Sequence, residues 1–273
     1  MLQWGGLSIS VWGVFVGLAF LVGLLIIDRE LRKKQPNVAR HVGNLGLGIL
    51  LSSILGARVA YLIDHWEAFS TWQERIAVWD GGLGMLGGMI GATGFLVLYI
   101  RLQRLPWFPL LDLFAYVLPL SIAIGRLGCH AIADHPGKPT GANWGFVGLD
   151  GIPRHEPAIY ESIIMLAVFG IFFLLQKYHQ KHHALVVHGF FVSVFVILYG
   201  VTRFLLDFTR AGDPVYGSLT LTQYAAIVLI ATGVILYQHT RAHLKNSFIG
   251  ISDAVCTETA EERGGIPRYF DEF

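Results

Sequence analysis

Seven apolar runs, each about as long as a bilayer is thick, limit what this chain can become before any motif is considered. They cover residues 7–27, 42–63, 81–100, 110–127, 158–176, 189–206 and 221–238. A helix needs roughly 20 apolar residues to cross a hydrocarbon core, and hydropathy marks each run as a candidate span. Composition agrees: 54% of the 273 residues are hydrophobic and only 14% are charged, against about 25% charged in a soluble domain. The first run is too long for a signal-peptide core and lacks a small-residue cleavage site, so it reads as a membrane helix. The expected fold is an all-α polytopic membrane protein with about seven transmembrane helices.

The loops set an orientation. Arg29, Arg32, Lys33, Lys34 and Arg40 follow the first run, Arg101 and Arg104 the third, Lys177 and Lys181 the fifth, Arg241 and Lys245 the seventh. The alternate loops hold fewer cations: Arg75, then Lys138 and Arg154, then Arg210. Positive loops stay in the cytoplasm, which puts the N-terminus outside. Residues 1–245 then form one membrane domain. Residues 129–157, rich in Gly and Pro, form a small extracytoplasmic cap with a short hairpin. Residues 246–273 form a polar, acidic, mobile cytoplasmic tail, in which Cys256 is incidental. Two cysteines, Cys129 and Cys256, suggest neither a disulfide framework nor a structural zinc site, and the net charge of +1 does not point to nucleic acid. No metal and no cofactor are expected.

Ionisable residues inside a span are expensive and tend to be functional. Under this topology Arg58, Asp80, Arg126, Glu161, Arg203 and Asp207 all lie near the outer ends of their runs, from five different spans; Asp112 lies near the inner side. Tyr199, Arg203 and Asp207 recur every four residues and share a helix face, where Arg203 can pair with Asp207. Six such groups at one depth suggest a polar cavity open to the outer leaflet. Arg58, Arg126 and Arg203 give it a positive lining, and a guanidinium holds a phosphate through paired hydrogen bonds. The simplest ligand is an anionic phospholipid headgroup, its acyl chains left among the helices; the carboxylates would hold the arginines or take a proton. Glycines at 81, 82, 84, 87, 88 and 91 permit tight helix packing or backbone approach to a ligand. Trp12, in the outer half of the first run, reads as an interfacial anchor. Aromatics at 66, 69, 72 and 79, interleaved with charges, suit a segment lying on the headgroups.

From Trp12 to about Tyr237 the chain resembles the prolipoprotein diacylglyceryl transferases of bacterial membranes. The resemblance rests on Gly56-Ala57-Arg58 with Tyr61, Trp79-Asp80-Gly81-Gly82 with Gly87-Gly88, Gly125-Arg126-Leu127-Gly128, Arg154-His155 with Tyr160-Glu161, and Tyr199-Gly200, Arg203, Asp207-Phe208 and Arg210, with Gln223 after them. It implies transfer of a diacylglyceryl group from phosphatidylglycerol to the lipobox cysteine thiol of a prolipoprotein signal peptide, releasing glycerol phosphate, in the bacterial inner membrane. It also implies catalytic roles for Arg126, Arg203, Asp207 and Asp134. Substrate contacts are implied for Trp12, Arg58, Asp80, Gly81, Gly82, Gly87, Gly88, Gly125, Gly128, Cys129, His130, Arg154, His155, Tyr160, Glu161 and Tyr199.

The chain departs from the family pattern at several of these places. Leu86 stands where the family has a histidine, Cys129 where it has an asparagine, Asp134 and Asp207 where it has glutamates, Trp12 for a tyrosine and Ala158 for a glutamine. Leu86 has no basic group, which makes His130 and His135 the candidates to enter the pocket in its place. Cys129, three residues after Arg126, is either a covalent acceptor with a lowered thiol pKa or a small apolar residue. The alternatives to the transferase are a related enzyme with another acceptor or lipid, a non-catalytic phospholipid-binding protein, and a transporter, although no internal repeat is visible.

Overall fold

The computed structural model describes residues 2–4, 7–69, 71–78, 81–134, 136–148, 150–182, 189–212 and 214–261. Among these, β1 (Leu2–Trp4) pairs antiparallel with β2 (Leu7–Ile9), and α1 (Val11–Lys34) follows. The first helix thus begins four residues later than the apolar run, because residues 7–9 pair with 2–4. Ser10 then caps the helix by accepting the Gly13 amide, which supplies one of the N–H groups left open in a first turn. After α2 (Pro36–Ala39) and α3 (Val42–Asp64) come a 3-10 turn (Trp66–Ala68) and α4 (Trp72–Ile76). The short α4 is started by a capping box between Thr71 and Glu74. The exposed rings of Trp66 and Trp72 lie 4.2 and 4.8 Å from the Arg75 guanidinium.

The third apolar run is the one that departs most from expectation. Its helix, α5, spans only Met85–Leu102, because Gly81 and Gly82 take φ of +90° and +71°. A right-handed helix cannot continue through that region, which glycine alone enters without strain. The 18 residues of α5 reach about 27 Å at 1.5 Å per residue. The rest of the bundle is α6 (Trp107–Ala131), the hairpin of β3 (Phe146–Val147) and β4 (Pro153–Arg154), α7 (Pro157–His182), α8 (Phe190–Asp207), the hairpin of β5 (Val215–Tyr216) and β6 (Leu219–Thr220), and α9 (Leu221–Glu261). Among the described residues six helical segments are long and apolar enough to cross a membrane, with α2 and α3 counted as one. The protein is an all-α polytopic membrane protein. Helix α9 runs beyond the apolar stretch to Glu261; residues 262–273, the end of the expected tail, lie outside the described residues, as do the side chain of Cys256 and the whole of Asp80 and His135.

Glycines set how closely the helices meet. A Cβ on Gly56 would sit 2.3 Å from the carbonyl oxygen of Gly87, and one on Gly91 would sit 2.2 Å from that of Ser52, so α3 and α5 touch backbone to backbone. Gly200 and Gly233 do the same between α8 and α9, and Gly128 gives Phe15 of α1 its place on α6. Small residues at helix contacts are how bundles pack in lipid. The central core gathers Leu31, Leu45, Ile100, Tyr116, Met165, Phe172 and Phe191 from six helices. Outward-facing residues are also apolar: Ile63 is 75% exposed and Leu55 67%, which fits acyl chains as the surrounding solvent. Asp112, the inner-side carboxylate, belongs to the fold. It accepts the backbone amides of Gly189 and Val192 and so caps α8 from α6.

Candidate functional site

The site is built where α6 ends. Ala133 sits at φ +51°, and the Asp134 amide donates to Cys129 while the Ala133 amide donates to His130. This is the paired closure of a Schellman motif, made here with alanine in the place that glycine usually fills. It turns the chain sharply out of the helix and leaves Arg126 and His130, one turn apart on one face, at its open end. From there the cap crosses to α8. The Lys138 amide donates to the Thr209 carbonyl at 2.8 Å and the His155 amide to the Lys138 carbonyl at 2.9 Å, while Lys138 Nζ donates to the Phe208 carbonyl at 2.9 Å. Gly137 is essential to this crossing, since a Cβ there would lie 2.3 Å from the His155 carbonyl oxygen.

Under the cap lies Glu161, in the first turns of α7 and 1% exposed. Its Oε2 lies 2.9 Å from Arg126 Nε and 3.5 Å from Arg203 Nη1. One carboxylate therefore joins guanidinium groups from α6 and α8. A carboxylate so deeply buried needs such partners, because an isolated buried charge is costly. This also explains why Arg203 does not take the expected partner on its own helix. Asp207 instead accepts the Thr220 hydroxyl, and its Oδ1 stands 4.0 Å from Arg210 Nε. Thr220 in turn forms a capping box with Gln223: the Gln223 amide donates to the Thr220 hydroxyl at 3.1 Å and the Thr220 amide to Gln223 Oε1 at 3.0 Å. Asp207 thus ties the end of α8 to the start of α9.

Several buried polar atoms around the two arginines have no hydrogen bond among the described residues: Glu161 Oε1, Asp207 Oδ1, His130 Nδ1 and Glu156 Oε1. The last two face each other at 3.6 Å, and the His130 ring meets the edge of Phe146 at 4.6 Å between centroids. Buried polar groups are normally satisfied; three of these atoms have an ion-pair neighbour in place of a hydrogen bond, His130 and Glu156 each other and Asp207 the Arg210 guanidinium.

The remaining predicted residues are placed as follows. Tyr160 and His155 meet through the tyrosine hydroxyl and His155 Nδ1 at 3.3 Å. Arg154 bonds Asp150 at 2.8 Å, and this contact holds the Asp150 carboxyl below its usual pKa. Tyr199 stacks on Phe195. Cys129 is half-buried with its thiol unbridged, and Asp134 is half-buried at the helix end. Gly125 has open space where a side chain would be, whereas Gly87 is filled by Gly56 and Ala60 of α3, with Gly88 beside Ala57. Trp12 is exposed on α1. Arg58 has a separate duty. Only 5% exposed, it donates from Nε to the carbonyl of Arg75 at 3.0 Å, from Nη1 to those of Gly81 and Gly82 at 2.6 and 3.0 Å, and from Nη2 to that of Glu74. Its guanidinium gathers the loop between α3 and α5, and every one of these acceptors lies in that loop. Glu156 and Thr220 are the two participants that the sequence reading did not single out. The Thr220-x-x-Gln223 spacing was a readable cap signal; nothing local pointed to the pairing of Glu156 with His130.

A sequence model of the family described as "Prolipoprotein diacylglyceryl transferase" matches residues 1–239. Among similar proteins, the phosphatidylglycerol–prolipoprotein diacylglyceryl transferase of Bordetella parapertussis is 30% identical over 239 residues, covering 82% of this chain and 89% of the relative. The enzyme of the same name from Finegoldia magna is 28% identical over 233 residues, covering 85% and 91%. That from Synechococcus elongatus is 27% identical over 247 residues, covering 86% and 84%.

Proposed function

We propose, for a chain that belongs to the prolipoprotein diacylglyceryl transferase family, the reaction for which its relatives are named: transfer of the diacylglyceryl group of phosphatidylglycerol to a prolipoprotein, at the thiol of its lipobox cysteine. One observation supports the assignment of roles. Glu161 holds Arg126 and Arg203 together but neutralises only one of their two positive charges. The other N–H groups of the two guanidiniums make no hydrogen bond among the described residues and present a fork of donors suited to a phosphodiester. In this reading the lipid phosphate docks there. The thiolate sulfur attacks the glycerol carbon that carries the phosphate; the C–S bond forms as the C–O bond breaks, and its electron pair leaves with glycerol phosphate. The charge that grows on the departing oxygen meets donors already in place, the arrangement that contributes most to such reactions.

The thiol must first lose its proton, and its free pKa is about 8.5. We assign the proton to Nε2 of His130, with the Glu156 carboxylate beside Nδ1 to stabilise the imidazolium, a base oriented by a third group. Leu86 is 71% exposed on α5 and supplies no proton acceptor. Asp207 braces the end of α8, on which Arg203 stands, through Thr220 and Arg210, and the backbone amide of Asp134 closes the end of α6, on which Arg126 stands. Catalysis would take place at the outer face of the bacterial inner membrane, with the N-terminus outside and the C-terminus in the cytoplasm.

The test uses the purified full-length protein, phosphatidylglycerol and a lipobox peptide, read by mass spectrometry. Lipidated peptide is expected, and Arg126→Gln or Arg203→Gln should lower turnover by about 10²–10³. His130→Ala should lose about 10²-fold at neutral pH, and the deficit should shrink above the pKa of the thiol, where the nucleophile ionises unaided. No lipidated peptide from the unaltered protein would refute the function. A His130→Ala deficit that stays constant with pH would refute the base.

A further inference from the structure

At the other end of the bundle, a groove of about 530 Å³ opens between α1, α6 and α7. Its lining includes Arg29, Lys33 and Lys177, the carboxylate of Glu30, and the rings of Tyr116 and Phe173. On α7, Phe173 and Lys177 follow Glu161 by 12 and 16 residues, or about 18–24 Å along the axis, so this groove is distinct from the arginine pair under the cap. Its only acid is already engaged: Glu30 Oε1 lies 3.3 Å from Lys33, and Oε2 lies 3.5 Å from Lys34 and accepts from Gln176 at 2.9 Å. Arg29 has no carboxylate within ion-pair distance among the described residues, and Lys177 sits 4.7 Å from the centre of the Phe173 ring. Three cations and one shared carboxylate leave the groove positive. Snorkelling alone would send such side chains outward; here they border a hollow walled by the rings of Tyr116, Phe169 and Phe173.

We propose that this groove holds the phosphate of an anionic phospholipid from the leaflet opposite the one that Arg126 faces, as a retained lipid and not as a substrate. Basic pockets between transmembrane helices recognise headgroups in this way. A free phosphate would satisfy the same cations, but it would leave the aromatic wall uncovered; an acyl chain covers it. The inference does not rest on the transferase reading.

Native mass spectrometry of the full-length protein in detergent counts bound lipid directly. With phosphatidylglycerol as the probe, the unaltered protein should retain two molecules, and the Arg29→Gln/Lys177→Gln variant one. The affinity of the lost lipid should fall about 30-fold, the loss expected for two cations near a headgroup. Phosphatidylcholine should give no second adduct. Arg29→Lys/Lys177→Arg, which preserves both charges, should keep both lipids, which separates lost charge from a misfolded variant. Arg126→Gln/Arg203→Gln should lose only the other lipid; if the arginine pair binds none, the unaltered protein retains one molecule, this variant keeps it and Arg29→Gln/Lys177→Gln loses it, so the two failures are distinguishable. An unchanged count in Arg29→Gln/Lys177→Gln, loss of lipid in the charge-preserving variant, or displacement of the second lipid by inorganic phosphate alone would each overturn the proposal.

Discussion

Take the anion away from Glu161 and two guanidinium groups face each other with nothing between them. Glu161→Gln keeps the shape and removes the charge, so its effect isolates the electrostatics. Breaking a buried pair costs roughly 3–5 kcal/mol; Arg126 and Arg203 keep some solvent contact, which brings the expectation to about 2–4 kcal/mol. A thermal melt of the solubilised protein should show this as a drop of several degrees, and an unchanged melting temperature would remove Glu161 from its structural role. Ala133 offers the opposite sign. Its φ of +51° strains any residue with a Cβ, and Ala133→Gly should raise stability by about 1 kcal/mol in the same melt. Single residues also show what the chain's order hides. Arg58, Arg126 and Arg203 are equally plausible phosphate ligands by depth. Yet the acceptors of Arg58 are backbone carbonyls 16 to 24 positions further on, and carbonyls are common to every residue, so no side-chain pattern could reveal them. The link from Glu161 to both arginines was visible only as shared depth, since its geometry depends on how three helices pack.

Elements were easier to read than their ends. Hydrophobic runs stand out because lipid admits no other spanning structure, and the helices fall on those runs. Their ends follow local chemistry that hydropathy averages away: the strand pair ahead of Ser10, and the left-handed glycines ahead of Met85. The hold of Asp112 on the start of α8, from another helix, was equally invisible. The glycines between α3 and α5 allow a sharper test. A Cβ at Gly87 would meet the Gly56 carbonyl oxygen at 2.2 Å, while Gly94, about two turns further along α5, has nothing within 4 Å. Gly87→Ala should therefore push the two helices apart and destabilise by about 1–3 kcal/mol. Gly94→Ala should be neutral or stabilising by up to about 1 kcal/mol through helix propensity. Equal effects of the two substitutions in denaturant titrations would mean that the close approach of α3 and α5 does not carry the packing.

For the molecule as a whole, the reading depends on which side of the membrane holds the arginine pair. The cations of the loops favour one answer: those after α1 and α5 outnumber those in the cap and between α3 and α5, and positive loops are retained in the cytoplasm. The proposed reaction requires the same answer. The structure stitches residues 137–138 to 209–210 over Arg126 and Arg203, so whichever side holds the cap also holds the site. The proposed acceptor is a cysteine presented at the outer face, so under the proposed function the cap is predicted to lie outside. The prediction can be checked with single cysteines in a Cys129→Ser/Cys256→Ser background. Trp144, 73% exposed in the cap, and Gln103, in the turn after α5, are suitable positions. In intact spheroplasts a membrane-impermeant maleimide should label Trp144→Cys at once and Gln103→Cys only after permeabilisation. The reverse pattern would turn the bundle over. It would place the arginine pair in the cytoplasmic leaflet and the basic groove in the outer one, and the proposed reaction would then have no route to its acceptor.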